Sequence, residues 1–230
     1  MVSLIIKTGW FVNYLHNGLI AQLAPPDQAF LLRKAQLVRF NAGDVLGASA
    51  SESSQIFFIT SGAVALFACK HKHDVSTGLA VGLVGAEGVL GLQLALGLGA
   101  GNLSFIAQSP GAAYAVDSAW AARLVQRKSA LLLAFASYLW HQYEDVTRIA
   151  GMSHTQDVRL RLAHWLLLSV QRCAPDALLL THAHIAHMLG VRRVSITLAA
   201  REMKMMGLIS YSRGHIQIKD PEALERLASS

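Results

Sequence analysis

The stretch LTHAHIAHMLGVRRVSITLAAREM (residues 180–203) has the residue types of two short helices that cross at a tight turn. Thr181 can accept a hydrogen bond from a free backbone N–H at the start of the first helix. Ala186 is small where the helices cross, and Gly190 can take the positive φ that the turn needs. Ile196 returns an apolar side chain to the contact between the helices. This spacing predicts a helix-turn-helix.

The segment that follows, GLISYSRGHIQIKD (residues 207–220), predicts two short strands joined at an Arg-Gly turn, which together form a wing. The chain has 230 residues and a formal net charge of +6. Residues 151–230 hold ten Lys and Arg against six Asp and Glu, whereas residues 1–150 hold ten against eight. A winged helix-turn-helix on the most basic part of a chain predicts a DNA-binding module.

Arg192 and Arg193 lie at the start of the second helix, where side chains of a recognition helix meet bases and phosphates. We interpret Arg193 as a base reader and Arg192 as a phosphate clamp, with an ordinary solvated charge as the alternative for each. The hydroxyl residues 181, 195 and 197 are candidate phosphate donors, and one arginine lies on the wing. The predicted DNA-binding residues are Thr181, His182, Arg192, Arg193, Val194, Ser195, Thr197, Arg201 and Arg213.

The N-terminal part of the chain alternates short β-prone runs with turn residues. Such runs predict an antiparallel roll or barrel, so the fold class is α+β. Before the roll, residues 14–36 predict two helices separated at a Pro-Pro-Asp turn. The predicted strands are residues 37–40, 55–60, 63–70, 78–84, 104–108 and 112–117.

A heptad pattern follows the roll, with spacings of 3, 4, 3, 4 and 3 that are apolar except at one glutamine. A helix packed on its own domain is one interpretation, but the polar residues beside the pattern favour a dimer seam. The seam residues are Leu132, Phe135, Leu139, Gln142, Val146 and Ile149. Residues 157–172 predict a further amphipathic helix. The expected domains are a sensor roll at 1–127, a dimerisation helix at 128–153 and a DNA-binding domain at 154–230.

A β-roll, a long dimerisation helix and a C-terminal winged helix, in this order, resemble the CRP/FNR family of bacterial transcription regulators. The resemblance covers nearly the whole chain and is strongest in RLAHWLL (161–167), LTHAHIAHMLGVRRVSIT (180–197) and GLISYSRGHIQI (207–218). It implies a cyclic-nucleotide-binding-like roll and a homodimer whose recognition helices enter successive major grooves of a two-fold symmetric site. It also implies contact with RNA polymerase if the protein is an activator.

The recognition helix departs from the family's pattern. Well-known members carry Glu, Ser and Arg at the positions that Val194, Thr197 and Leu198 occupy here. Val and Leu cannot make the bidentate contacts to bases that Glu and Arg make. The half-site of those members is therefore not expected to be the half-site of this protein.

The expected effector pocket departs from the family as well. Cyclic-nucleotide binders of this family hold the ribose with Glu and the cyclic phosphate with Arg. Here Glu87 and Gly88 are present, but the Arg position falls near Asn102, and no Lys or Arg occurs between Lys72 and Arg123. Burying a phosphate without a cation is costly. We therefore expect no control by cyclic AMP, and either an apolar ligand or none.

Histidine clusters suggest a second class of function, a small-molecule, haem or gas sensor whose roll binds the ligand as its main role. His182, His184 and His187 form an HxHxxH pattern, but their place in the helix-turn-helix favours contact with DNA over metal binding. His71 and His73 lie in a polar hairpin tip, which is a poor place for a haem ligand. We expect no metal and no cofactor.

Enzymes and membrane proteins find little support in the sequence. GxSxG, P-loop and HExxH motifs do not occur. Residues 81–101 are the best candidate for a membrane span, but they contain Glu87 and many glycines. Cys69 and Cys173 form no CxxC pair, which fits a reducing compartment. No signal peptide is recognisable. We expect a cytoplasmic protein that is not an enzyme.

Overall fold

A computed structural model describes residues 16–47, 55–69, 78–99, 101–155, 157–173 and 178–229. Among the described residues, the first element is a one-turn helix α1 (Gly18–Ala21), which Asn17 caps, and α2 (Pro25–Leu32) follows. The two predicted helices are present, but the break lies at residues 22–24 and not at the prolines, because Pro25 and Pro26 are the first residues of α2. Proline is favoured there, since the first N–H groups of a helix have no partner within it.

In the part of the chain that the structure describes, eight antiparallel strands form two four-stranded sheets, as the predicted roll requires. One sheet has the order β1-β8-β3-β6 and the other the order β2-β7-β4-β5. All six predicted strands are present, whereas β2 and β6, of two residues each, were not predicted. The strands are β1 (Gln36–Phe40), β2 (Val45–Leu46), β3 (Gln55–Ser61), β4 (Val64–Ala68), β5 (Leu79–Val84), β6 (Val89–Leu90), β7 (Leu103–Ala107) and β8 (Gly111–Asp117).

The glycine-rich stretch that includes the span candidate forms part of the roll. It contains β5, β6 and the one-turn helix α3 (Leu92–Ala95), and Val89 and Leu92 are buried in the roll. In the part of the chain that the structure describes, no helix has the length and apolar character needed to cross a bilayer.

Two helices follow the roll, α4 (Ser118–Arg127) and the 27-residue α5 (Ser129–Thr155). The predicted heptad lies on α5, but most of it faces the protein's own roll. Phe135 is fully buried and its ring lies 6.4 Å from that of Phe58. Ile149 is buried, Leu139 and Val146 pack against the roll, and the amide of Gln142 donates to the Tyr138 hydroxyl.

Phe135 and Ile149 of the predicted dimer seam are thus covered by the chain itself, and the seam stays a prediction. Of its six residues, only Leu132 is an exposed apolar side chain. A heptad pattern identifies the face of a helix that is buried, but it does not identify the surface that covers this face.

The C-terminal part is a helix-turn-helix with a wing, as predicted. Its sheet has the order β10-β11-β9. The helix at the end of the chain, α9, was not predicted. The elements are α6 (Val158–Cys173), β9 (Leu178–Leu179), α7 (His182–Leu189), α8 (Arg193–Met205), β10 (Ile209–Ser212), β11 (His215–Ile218) and α9 (Pro221–Ala228).

The C-terminal part is docked on the roll through one shared core. Phe67 and Leu83 of the roll belong to the same buried cluster as Leu162 and Ile185. A hydrogen-bonded group lies beside this cluster, in which the Trp165 indole donates to Gln108 Oε1 at 3.0 Å and Gln108 Nε2 donates to Ser169 at 3.1 Å. The paired polar groups let the turn after β7 be buried against α6.

Candidate nucleic-acid interface

The turn between α7 and α8 has the geometry that the sequence predicts. Thr181 Oγ1 accepts a hydrogen bond from the His184 amide at 3.2 Å and caps α7. Gly190 ends α7 with φ at 63°, and the amide of Val191 returns to the carbonyl of Ala186 at 3.0 Å. Glycine is favoured at this position because the backbone just after the last turn of the helix is in the left-handed region. The packing between the helices is confirmed too, since Ile185, Ala186, Ile196 and Ala199 are buried.

Helix α8 presents its outer face to solvent. Ile196 and Met203 are fully buried, and the opposite side of the helix carries Val194, Leu198 and Arg201. Val194 is 66% exposed and Leu198 is 55% exposed. Four residues apart, they are neighbours along one face. The centre of the exposed face is thus apolar over the first two turns of the helix.

Cations surround this apolar centre. Arg192 and Arg193, at the start of α8, are exposed, as are Arg201 on the same face and Arg213 on the wing. Lys204, which the sequence did not single out, is exposed and lies 5.0 Å from the centre of the Tyr211 ring. The predicted arginines are thus all exposed, at the start of α8, on its outer face and at the tip of the wing. Lys204 lies three residues after Arg201, and this spacing predicts that the two side chains are neighbours on the surface of the helix.

His182 and Thr197 connect the two helices. The Thr197 hydroxyl donates to the carbonyl of Arg193 at 3.0 Å, and its oxygen lies within hydrogen-bond distance, 3.1 Å, of Nδ1 of His182. The His182 ring meets the Tyr211 ring edge-on at 4.9 Å. Partial burial, with the nearby charge of Arg193, lowers the pKa of His182. Because the Thr197 hydroxyl contacts both the backbone of α8 and the His182 ring of α7, it links these two helices.

The wing turn is tight and contains an unusual residue. Arg213 has φ at 47° and Gly214 has φ at 82°, between the paired residues Ser212 and His215. Positive φ at both central residues is the type I′ pattern of two-residue hairpins, in which Asn-Gly is favoured. The turn holds the Arg213 side chain exposed at the tip of the wing. The remaining predicted residue, Ser195, is half-buried near the start of α8.

The expected effector pocket is replaced by a cavity of a different kind. A cavity of about 670 Å³ lies between β5, the turn at residues 85–88, α5 and the end of α6. Glu87 lines it, but Asn102 is at the start of β7, where its carbonyl accepts from the Cys69 amide. Gly88 is packed under Tyr138, whose hydroxyl would collide with any side chain there. The cavity thus uses one of the three predicted residues.

The cavity also overturns the expectation of a pocket without cations. Arg172, from α6, lies 3.0 Å from Glu87 and 3.0 Å from Asp145, and Arg148 pairs with Asp145. Both arginines come from helices outside the roll, which a search within the roll sequence could not find. Their charges are already matched by the two carboxylates, and Glu144 adds a further negative charge to the lining.

Tyr138 forms part of the cavity wall and is held in place by the roll. Its hydroxyl donates to the carbonyl of Val89 at 3.1 Å and accepts from the amide of Val89 at 3.0 Å. Burial raises the pKa of this phenol, so the group stays protonated.

The remaining histidine and cysteine candidates do not gather into a site. His182 faces Thr197, whereas the His187 ring stacks on Phe67 at 5.2 Å, so the HxHxxH residues point to different neighbours. Across the described ranges, no three His, Cys, Asp or Glu side chains are placed to hold a metal ion. His71 and His73 lie outside the described residues. Burial raises the pKa of the Cys173 thiol, which lies 3.8 Å from the Ser109 hydroxyl.

Comparison with known proteins gives a match for the C-terminal part. Residues 160–227 match the Crp-like helix-turn-helix domain family. This span begins in α6 and includes the whole of the helix-turn-helix and the wing. No match is found among curated proteins.

Solved structures resemble the whole fold. A protein from Eubacterium rectale assigned to the transcriptional regulators of the CRP/FNR family has a TM-score of 0.70 at 17% identity, over 92% of this chain and 98% of that one. FixK2 from Bradyrhizobium japonicum has a TM-score of 0.69 at 14% identity, over 85% and 98%. A CRP-family transcriptional regulator from Thermus thermophilus has a TM-score of 0.67 at 20% identity, over 84% and 97%. At these identities the likeness establishes the fold.

Proposed function

We propose that the chain is a CRP/FNR-type transcription regulator that binds a two-fold symmetric DNA site as a homodimer, a proposal supported by its Crp-like helix-turn-helix domain and its fold. Proteins of this type are not enzymes. The observation that carries the proposal is the exposed face of α8, with Arg192, Arg193 and Arg213 around it. Arginines around a protruding helix supply the contacts to phosphates that hold such a helix in the major groove.

A different face of α5 supports the homodimer. Leu133, Ala136, Trp140, Tyr143 and Thr147 are exposed, and their spacing of 3, 4, 3 and 4 is again a heptad. Leu133 is 70% exposed, Trp140 is 59% exposed, and the rings of Trp140 and Tyr143 lie 5.7 Å apart. We call these five residues the outer stripe of α5. Large aromatic side chains at such exposure are typical of interface centres. A second copy of α5 would cover this stripe.

Arg193 remains the proposed base reader, with Arg192, Ser195 and Arg213 as the proposed phosphate contacts. Arg193 is exposed in the first turn of α8, next to His182 and Thr197. In this position its side chain would enter the groove from the flank of the helix. Replacing a bidentate base contact is expected to relax the preference at one position per half-site, at about 1–3 kcal/mol. A loss of affinity that is equal on all sequences would make Arg193 a phosphate contact instead.

Control by cyclic AMP remains disfavoured, now for a reason of charge balance. A phosphate entering the cavity would compete with Glu87 and Asp145 for Arg172 and would meet Glu144. An anion that binds a paired arginine must first separate it from its carboxylates. This free-energy cost is absent when the arginine is unpaired. The size of the cavity and its mixed charges favour a second candidate function, a sensor whose main role is to bind a small dipolar ligand there.

The proposed role on DNA would place the protein in the cytoplasm and, if it activates transcription, in contact with RNA polymerase. Selection from a random duplex library, with the full chain at near-physiological salt, tests the proposal. The expected product is an inverted repeat whose half-sites lie about one helical turn apart. Recovery of no preferred sequence, with a stable monomer in solution, would contradict it.

A further inference from the structure

The most exposed part of the proposed DNA surface is apolar. Val194 and Leu198 lie opposite the buried Ile196 and Met203, so they are on the face of α8 that is turned away from the body of the domain. Each is more than half exposed. Exposed apolar side chains are common singly, but two neighbours at the centre of a basic surface need a partner of matching chemistry.

Neither side chain can take part in a hydrogen bond, which limits what it can recognise on a base pair. In the major groove, G presents acceptors, C and A present amino donors, and T presents the C5-methyl group. The methyl of thymine is thus the only apolar group that distinguishes one base from another there. Contact with a Val or Leu side chain would remove that methyl and the side chain from water together.

The position along α8 places both residues within reach of bases. Val194 and Leu198 lie in the first two turns of the helix, and the N-terminal residues of a recognition helix are the ones that contact base edges. Arg192 and Arg193 flank them at the start of the helix, and Arg201 follows one turn later. The proposed phosphate contacts of Arg192 and Arg213 would hold the apolar face in the groove between the strands.

We propose that Val194 and Leu198 read the C5-methyl groups of thymines in the major groove, so that each half-site has thymines facing these two residues. This inference rests on the proposed function and adds to it the chemistry by which the half-site is recognised. Arg193 supplies a hydrogen-bonded contact beside them, while the two aliphatic side chains select for the methyl.

Replacing thymine by deoxyuridine tests the proposal, because it removes the methyl and leaves every hydrogen-bonding group of the base pair in place. The duplex recovered by selection is prepared with deoxyuridine at one thymine at a time, and affinity is measured by fluorescence anisotropy. The expected result is binding about fourfold weaker at one or two positions of a half-site, the change that corresponds to one buried methyl-sized group.

Variants assign these positions to side chains. Val194→Ala and Leu198→Ala are each expected to abolish the loss of affinity that deoxyuridine causes at one thymine. Each variant should bind that uracil-containing duplex about as tightly as the wild type does. Met206→Ala is the matched control, because Met206 is 54% exposed but lies at the end of α8 outside its central face. This variant should keep the full response to uracil.

Three contrary results have different meanings. A specific duplex that binds equally well with uracil at every thymine would overturn the methyl readout and leave the proposed function standing. Failure to select any preferred sequence would overturn the proposed function together with this inference. Loss of uracil sensitivity in Met206→Ala would also contradict the assignment to Val194 and Leu198.

Discussion

At the scale of single residues, the backbone of the wing turn carries an identifiable strain. Arg213 is, among the described residues, the non-glycine residue with a positive φ. A side chain in the left-handed region costs about 1–2 kcal/mol, less for Asn, which can bond locally. An arginine held at such a position, at the exposed tip of a hairpin, fits a role in binding better than a role in stability.

Arg213→Asn is therefore expected to make the protein more stable and a weaker DNA binder. The free energy of unfolding should rise by about 0.5–1 kcal/mol, because Asn-Gly suits a type I′ turn. The slope of log affinity against log salt should fall by about 1, because one phosphate contact is lost. Urea unfolding and salt titrations measure the two effects. Arg226→Asn, which removes the same charge from α9, should leave the salt slope unchanged.

Two glycines allow backbone strain to be separated from packing. Gly190 and Gly207 both have positive φ. A Cβ added at Gly190 would lie 2.9 Å from Leu79 of the roll, whereas a Cβ added at Gly207 would have no atom within 4 Å. Gly207→Ala is expected to cost about 1–2 kcal/mol of unfolding free energy, the backbone strain alone. Gly190→Ala should cost more, since Leu79 must also move. Equal losses in thermal unfolding would mean that the roll gives way freely at Leu79.

At the scale of elements, the long helix α5 uses two faces for two purposes. The face with Phe135, Leu139 and Ile149 packs inside the chain, and the outer stripe lies about a third of a turn away. Both faces repeat at heptad spacing, so the two patterns overlap in the sequence. The side-chain pattern of α5 is thus that of a helix covered on both sides.

Trp140→Glu is expected to give a monomer. The change removes a large aromatic ring from the centre of the proposed helix pair and places there a charge that must be desolvated. The expected loss in the free energy of dimerisation is about 2 kcal/mol or more. Dissociation constants from sedimentation should rise by about 30-fold or more. Leu98→Glu is the control, since Leu98 is 59% exposed, as Trp140 is, but lies away from α5. A dimer that survives Trp140→Glu unchanged would require a different interface.

At the scale of the whole molecule, the DNA-binding part and the roll form one body. They share a buried cluster, the hydrogen bonds of Gln108 and the ion pairs of Arg172 with Glu87 and Asp145. Any ligand that enters the cavity must contact the side chains that make these ion pairs. A ligand bound there would therefore be coupled, through shared residues, to the docking of the DNA-binding part.

The partly buried ring of His164 is expected to make the stability of the fold depend on pH. Its Nε2 is buried without a hydrogen-bond partner among the described residues, in a small cavity that Arg161, Ile149 and Leu189 also line. Burial, with a contribution from the charge of Arg148, lowers the pKa of His164, while Asp145 acts weakly in the opposite direction. The folded protein therefore holds His164 neutral, and the unfolded chain binds a proton more readily.

The stability is accordingly expected to fall as the pH drops below about 6.5, the usual pKa of an unfolded histidine. The contribution of neutral His164 to the free energy of unfolding is fully present above that pH. It is lost progressively as the pH falls from there to the lowered pKa of His164 in the folded state. His164→Leu should flatten the dependence of the urea midpoint between about pH 7 and pH 5. His184→Leu, at an exposed position of α7, should keep the wild-type dependence. The same slope in all three proteins would contradict this role.

Sequence patterns alone predicted the recognition module and six of the eight described strands of the roll, but not β2, β6 or α9. Turn residues separate the strands, and Thr181, Gly190 and Ile196 each have a local reason to be where they are, so their pattern can be read without the fold. Only the tertiary structure decided what each apolar face meets. It turned the predicted seam of α5 inward, brought Arg172 from α6 to Glu87 in the roll, and showed Leu198 exposed beside Val194. Local patterns record which side of an element is buried, whereas the partner across a contact comes from a distant part of the chain and leaves no trace in the spacing.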